Sequence, residues 1–226
     1  MKPWHARVAF GLALATGCTV AMDVPGAQGN TYPLHVTSLK EARFRQTVHQ
    51  QYDFSCGSAA VATLLTYQYG TPVDEKTAFA EMYNRGDRAK INREGFSLLD
   101  IKRFLAGLGF AADGFDVPLD KLSDEGLPAI ALVVTRGYHH FVVVKGIRDG
   151  RVLLGDPATG LHSMARTRFE AMWPSHLLFV IHNHRELARF NDVVDWAAAP
   201  MAPLSGGIDR RGLDDLVRPR RGPGDI

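Results

Sequence analysis

Cysteine is scarce in this sequence. Among 226 residues there are two, Cys18 and Cys56, so no disulfide framework can carry the fold. Charge of one sign is also missing. Twenty-six Lys and Arg face 24 Asp and Glu, for a net charge of +2. No block of like charges breaks that balance, which removes the electrostatic case for a nucleic-acid partner. Beyond Met22 there is no apolar run near the roughly 20 residues a membrane span needs. The chain is therefore expected not to be an integral membrane protein once its leader is gone. No repeat of 20–50 residues and no P-loop occurs, so solenoids and NTP-driven motors are set aside. The motif His182-Asn183-His184 has no cysteine or acidic residue at ligand spacing. Neither a metal nor any other cofactor is expected.

What remains is an ordinary globular composition, 46% hydrophobic and 22% charged, enough for one domain with a substantial core plus tails. The first residues stand apart. "MKPWHAR" carries two basic residues and no acid, and "VAFGLALATGCTVAM" then runs apolar from Val8 to Met22. That is the plan of a secretory signal peptide, with Thr19 and Ala21 as the small residues of a cleavage site. Residues 1–21 are read as that leader, and the periplasm as the destination. "LATGC" offers a second reading, a lipoprotein box with Cys18 as the lipidated residue, and an uncleaved anchor is a third. If the leader leaves after Ala21, Cys56 is the sole cysteine of the mature chain. A lone thiol in an oxidising compartment favours a chemical role over a packing one.

Residues 22–43 read as a lead-in, flexible over "DVPGAQGNT" and with "YPLHV" as a short strand. Helices are expected from Cys56 to Tyr69, from Asp74 to Gly86, and from Ser97 to Gly109. Asp74 and Ser97 serve as caps, and the glycines as stops. "DRAKINREG" reads as a polar connection, with Lys90 and Arg93 as candidates to line a groove. Four β-branched stretches follow: 128–135, 139–147, 151–156 and 176–182. "TRFEAMW" is a short helix before the last. Helices first and an antiparallel sheet afterwards make an α+β fold. Residues 184–226 hold seven Lys and Arg against seven Asp and Glu and read as a mostly flexible tail.

Cys56 lies where a helix starts, behind Ser55. Unpaired N–H groups and the helix dipole lower a thiol pKa there, and Gly57, Ser58, Ala59 and Ala60 would keep its approach uncrowded. A base is available at His139 or His140. Strand neighbours face opposite ways, so one of the two can face a cleft. A hairpin through "RDG" would bring Asp156 beside the start of the His139–Ile147 strand, near His140, where it could orient the imidazole. Gln50 or Gln51 could donate to an oxyanion together with the Cys56 amide.

With those residues in place, "QQYDFSCGSAAVATLL", "HHFVVVKGI" and "GDPATG" resemble the C39 peptidases, a papain-like family of cysteine proteases. "REGFSLLDIKRFLAGLGF" resembles the family segment between helix and sheet. The resemblance selects Gln50, six residues before Cys56, over Gln51. It selects His140, before Phe141, over His139, and it gives Asp156 the third catalytic place. It implies a papain-like domain over residues 44–183, with helices packed on an antiparallel sheet. The implied activity is hydrolysis of a peptide bond in a secreted protein or peptide. The exported, stand-alone branch it most resembles accompanies functional-amyloid secretion systems, which implies a secretion-system or fibre-export partner. A transpeptidase-like acyltransferase on the same fold, and a binding or chaperone module without turnover, are the alternatives.

Overall fold

The computed structural model describes residues 21–25, 31–35, 38–135 and 137–199. The expected leader lies almost wholly outside them, as does the tail beyond Ala199. Two compact units are present, one ending at Leu39 and one beginning at Lys40. In the first, β1 (Ala21–Pro25) pairs antiparallel with β2 (Thr31–His35), with Ala21 opposite His35. The lead-in is therefore partly extended and paired.

The second unit opens with α1 (Leu39–Phe44) and then α2 (Cys56–Thr63), which runs on as a π turn over Leu64–Gln68. The π turn is closed by the Tyr69 amide donating to the Leu64 carbonyl at 3.2 Å. Next is α3 (Glu75–Arg85), whose cap is Asp74 accepting from the Thr77 amide and whose stop is Gly86. The expected polar connection is instead a helix, α4 (Arg88–Glu94), capped by Asp87 and burying Ile91 alone. One buried residue in seven is too thin a stripe for periodicity to reveal. Helix α5 (Leu98–Gly107) starts with a full capping box between Ser97 and Asp100.

Six antiparallel strands form the sheet: β3 (Ala112–Asp116), β4 (Ala129–Thr135), β5 (Tyr138–Arg148), β6 (Arg151–Asp156), β7 (Gly160–Ala165) and β8 (Leu177–Ile181). Their spatial order is β3-β8-β4-β5-β6-β7. Helix α6 (Asp120–Glu125) precedes β4, and α7 (Arg166–Met172) precedes β8. Both faces of the central strands are covered. Ile130, Phe141, Val143 and Phe179 join the α2, α3 and α5 side, while Ala131, Val142, Val144 and Leu178 join Phe169 and Trp173 on the α7 side. Burial on two faces explains why β4 and β5 read as unbroken apolar runs.

The stretch read as a tail begins with packed structure. A short 3-10 turn at Arg185–Leu187 leads to α8 (Val193–Ala198), capped by Asp192. Trp196 buries against Leu153 and Leu161. Strand β5 bulges between Val144 and Gly146, and the segment before α8 fits that bulge. The Asn191 amide donates to the Lys145 carbonyl, and the Ile147 amide donates to Asn191 Oδ1. A Cβ on Gly146 would lie 2.5 Å from that Oδ1, so the bulge needs glycine there.

Candidate active site

Cys56 is the first residue of α2 and is 7% exposed. Ser55 holds the N-cap position without capping: its hydroxyl donates to the Tyr52 carbonyl at 3.0 Å and accepts from the Tyr52 amide at 3.1 Å. No side chain therefore caps the first amides of the helix. The Sγ receives N–H groups from Phe141, Gly57 and Cys56 itself, which pull its pKa down. Burial outweighs them, and with the nearby Asp156 charge it leaves the thiol above its ordinary value. A helix start alone does not make a resting thiolate here. The small residues after Cys56 have another use as well. Ser58, Ala59 and Ala60 are fully buried, and a Cβ on Gly57 would come within 2.9 Å of Phe96 Cβ. They let α2 sink onto the sheet rather than open a path to the sulfur.

His140 and Asp156 meet across β5 and β6. Val143 pairs with Gly155, so the next step of the register sets Val142 opposite Asp156. His140 shares the face of Val142, and the two side chains form a diagonal cross-strand pair. His140 Nε2 lies 3.3 Å from Asp156 Oδ2. The other carboxylate oxygen, Oδ1, accepts the Ala158 and Thr159 amides at 2.8 and 3.2 Å. Asp156 thus builds its Asp-Pro turn with one oxygen and meets the imidazole with the other. Burial would raise its pKa, but the His140 hydrogen bond and charge, with the turn's donors, hold it below the ordinary value.

Gln50 is stitched to the same turn, its amide donating to the Pro157 carbonyl at 3.0 Å. Its Nε2 donates to the Tyr52 carbonyl at 3.2 Å, and its buried Oε1 has no protein partner. Gln51 is exposed and turns toward Glu75, 3.5 Å from its amide.

Two cavities meet at this place. One, of about 500 Å³, is lined by Cys56, Phe54, Phe96, Leu132, His139 and Phe141 among others. The second, of about 330 Å³, is lined by Gln50, His140, Asp156, Val142, Met164 and Met172 among others. The strand alternation places His139 on the sulfur side and His140 with Asp156. The sulfur is held at the Phe141 amide, one residue along from His140, and no direct hydrogen bond joins Sγ to the ring. Arg93 lines the first cavity. His182 pairs with Asp113 at 3.1 Å and His184 with Glu186 at 3.5 Å, both away from these cavities. Sequence reasoning missed Tyr138, which lines both cavities. An aromatic two residues ahead of the histidine on one strand face was the available signal.

An antiparallel sheet with a cysteine-headed helix on one face and a His–Asp pair across two of its inner strands is the arrangement of a papain-like α+β domain. Residues 45–185 match the profile of the Peptidase C39 family, and the chain belongs to that family. It is 40% identical over 146 residues to the probable functional amyloid protease FapD of Pseudomonas aeruginosa, covering 65% of each chain. It is likewise 40% identical over 138 residues to the protein of that name from Pseudomonas fluorescens, covering 61% of each. The chain thus spans under two thirds of those relatives' length. Among solved structures, the peptidase domain of Streptococcus ComA superposes with a TM-score of 0.51 at 23% identity, over 60% of this chain and 97% of that domain.

Proposed function

We propose that this chain is an exported cysteine peptidase with Cys56 as nucleophile, His140 as base and acid, Asp156 as orienting carboxylate and Gln50 as oxyanion donor. The observation that carries the reading is the His140–Asp156 pair, formed one residue from the amide that holds the Cys56 sulfur. Asp156 engages Nε2, which leaves Nδ1 for the thiol proton. Burial disfavours the thiolate, so attack is coupled to transfer of the thiol proton to His140. Sγ then bonds to the substrate carbonyl carbon. The oxygen takes the charge and is met by the first amides of α2, and by Gln50 Nε2 after it leaves the Tyr52 carbonyl. His140 returns the proton to the leaving amine, and the acyl-enzyme is opened by a water that His140 deprotonates.

Its substrate is a secreted protein or peptide of a functional-amyloid export system, a reading supported by the likeness to proteins named as probable functional amyloid proteases. The reaction takes place in the periplasm, a reading supported by the leader expected over residues 1–21. A rival base has one observation in its favour: His139, not His140, lines the cavity that holds Cys56.

The test is labelling of the purified protein by a peptide carrying a thiol-reactive electrophile, repeated with His140→Ala and His139→Ala. Fast labelling that survives loss of His139 and disappears with His140 is expected. Equal, slow labelling in all three proteins sinks the enzyme reading, and the opposite pattern moves the base to His139.

A further inference from the structure

One side chain stands across the cleft itself. Tyr138 begins β5 and is 52% exposed, yet it is held in several ways. Its hydroxyl donates to the Asp53 carbonyl at 2.5 Å, linking segments 85 positions apart. Asp53 belongs to the turn that delivers Cys56 to the start of α2. The tie therefore runs from the histidine strand to the cysteine wall. The Tyr138 ring lies 6.2 Å from the His140 ring with 24° between their planes. That stacking follows from strand geometry, since positions i and i+2 share a face. Tyr138 also lines both cavities, the one with Cys56 and the one with His140.

We propose that Tyr138 is a positioning residue, its ring keeping the His140 imidazole turned to Asp156 and its hydroxyl holding the Cys56 wall at working distance. The inference rests on reading Cys56 and His140 as the reacting pair. Asp156 grips the ring at one nitrogen only, through a 3.3 Å contact. A single long contact leaves the imidazole free to swing, and the flat face of Tyr138 closes that freedom. A misplacement of about 1 Å at a reacting group is worth up to about a hundredfold in rate, so a modest loosening is measurable.

The test follows the alkylation of Cys56 by iodoacetamide, read by peptide mass spectrometry on the full chain from pH 5 to 9. Wild type, Tyr138→Phe, Tyr138→Ala and His140→Ala are compared. Tyr138→Ala, which loses both ring and hydroxyl, is expected to slow alkylation at neutral pH about tenfold and to shift the imidazole inflection in the pH profile. Tyr138→Phe keeps the ring, and is expected to keep the inflection and lose about two- to threefold in rate. If Tyr138→Ala does not fold by circular dichroism, Tyr138→Leu replaces it with the same expectation. A wild-type rate and profile in the Ala or Leu variant, beside a changed His140→Ala, overturns this inference alone. An unchanged His140→Ala overturns it together with the catalytic pair.

Discussion

Strand β5 carries two polar pairs five residues apart, and their fates differ. At its start, His140 meets Asp156 beside open cavities. Past its middle, Lys145 is 0% exposed and is saturated. Its Nζ donates to Asp195 Oδ1 and to the Gln46 carbonyl, both at 2.8 Å, and lies 5.4 Å from the Tyr67 ring centre. The second oxygen of Asp195 accepts from Gln68 Nε2 at 3.1 Å. Burial pushes the Lys145 pKa down, and Asp195 opposes it. One pair leaves a ring nitrogen free beside a cleft. The other uses its donors and acceptors to pin α8 and the π turn to the sheet. In the proposed mechanism reactivity comes from what a pair leaves unused, and cohesion from what it consumes.

That contrast can be broken from either end. The largest effect is expected at the front: Cys56→Ala and His140→Ala should each lower peptide turnover by about 10³-fold or more, and in Cys56→Ala thermal unfolding should barely move. Asp156→Asn should follow, at about 10²- to 10⁴-fold, since it leaves the imidazole in the wrong tautomer. At the back the pattern should invert. Asp195→Ala strands a buried ammonium, and about 3–5 kcal/mol of stability should go. A melting point lower by roughly 10 °C is the readout, with turnover preserved at temperatures where the variant is folded. Replacing both partners, Lys145→Met with Asp195→Leu, should recover most of that loss. A double variant as unstable as the single one would show that the pair's own attraction matters more than the stranded charge.

Smaller effects sharpen the boundary between the two ends. Gly57→Ala should cost about 1–3 kcal/mol, because its methyl would press on Phe96. The acid limb of stability should report Asp156. Its native carboxyl is below the ordinary value, so its contribution is complete above the unfolded pKa of about 4 and is lost as pH falls through the native value. Asp156→Asn should flatten that limb of a urea-denaturation series. Smallest of all, His139→Ala should change turnover by no more than about threefold. A loss approaching that of His140→Ala would transfer the base to the sulfur side of the strand.

Much of this arrangement was legible because local chemistry and tertiary demand agree. Asp74 and Ser97 cap helix starts through their own hydrogen bonds, and Gly86 ends α3 where a Cβ would lie 2.6 Å from Ile91 Cδ1. The β-branched runs of β4, β5 and β6 declare strands buried on both faces. Elements that bury little were silent. Strand β3 reads "ADGFD" and is an edge, β7 at the other edge has one firmly apolar face position, and α4 buries Ile91 alone. Helix α8 was hidden for a different reason: its anchors, Asp195 and Trp196, find their partners on distant strands, in Lys145 and in Leu153 with Leu161.

By itself the sequence determined that a cysteine opens a helix, that two histidines begin a strand, and that an aspartate closes the following hairpin. The family resemblance singled out Cys56, His140 and Asp156 from these, and added Gln50. The hairpin already set Asp156 near His140; tertiary structure alone decided that His139 lines the cavity with the sulfur, that burial lifts the thiol rather than lowering it, and that Tyr138 bridges the two walls. Those outcomes depend on strand register, side-chain facing and desolvation. Each arises between segments tens of residues apart, which spacing along a chain does not encode.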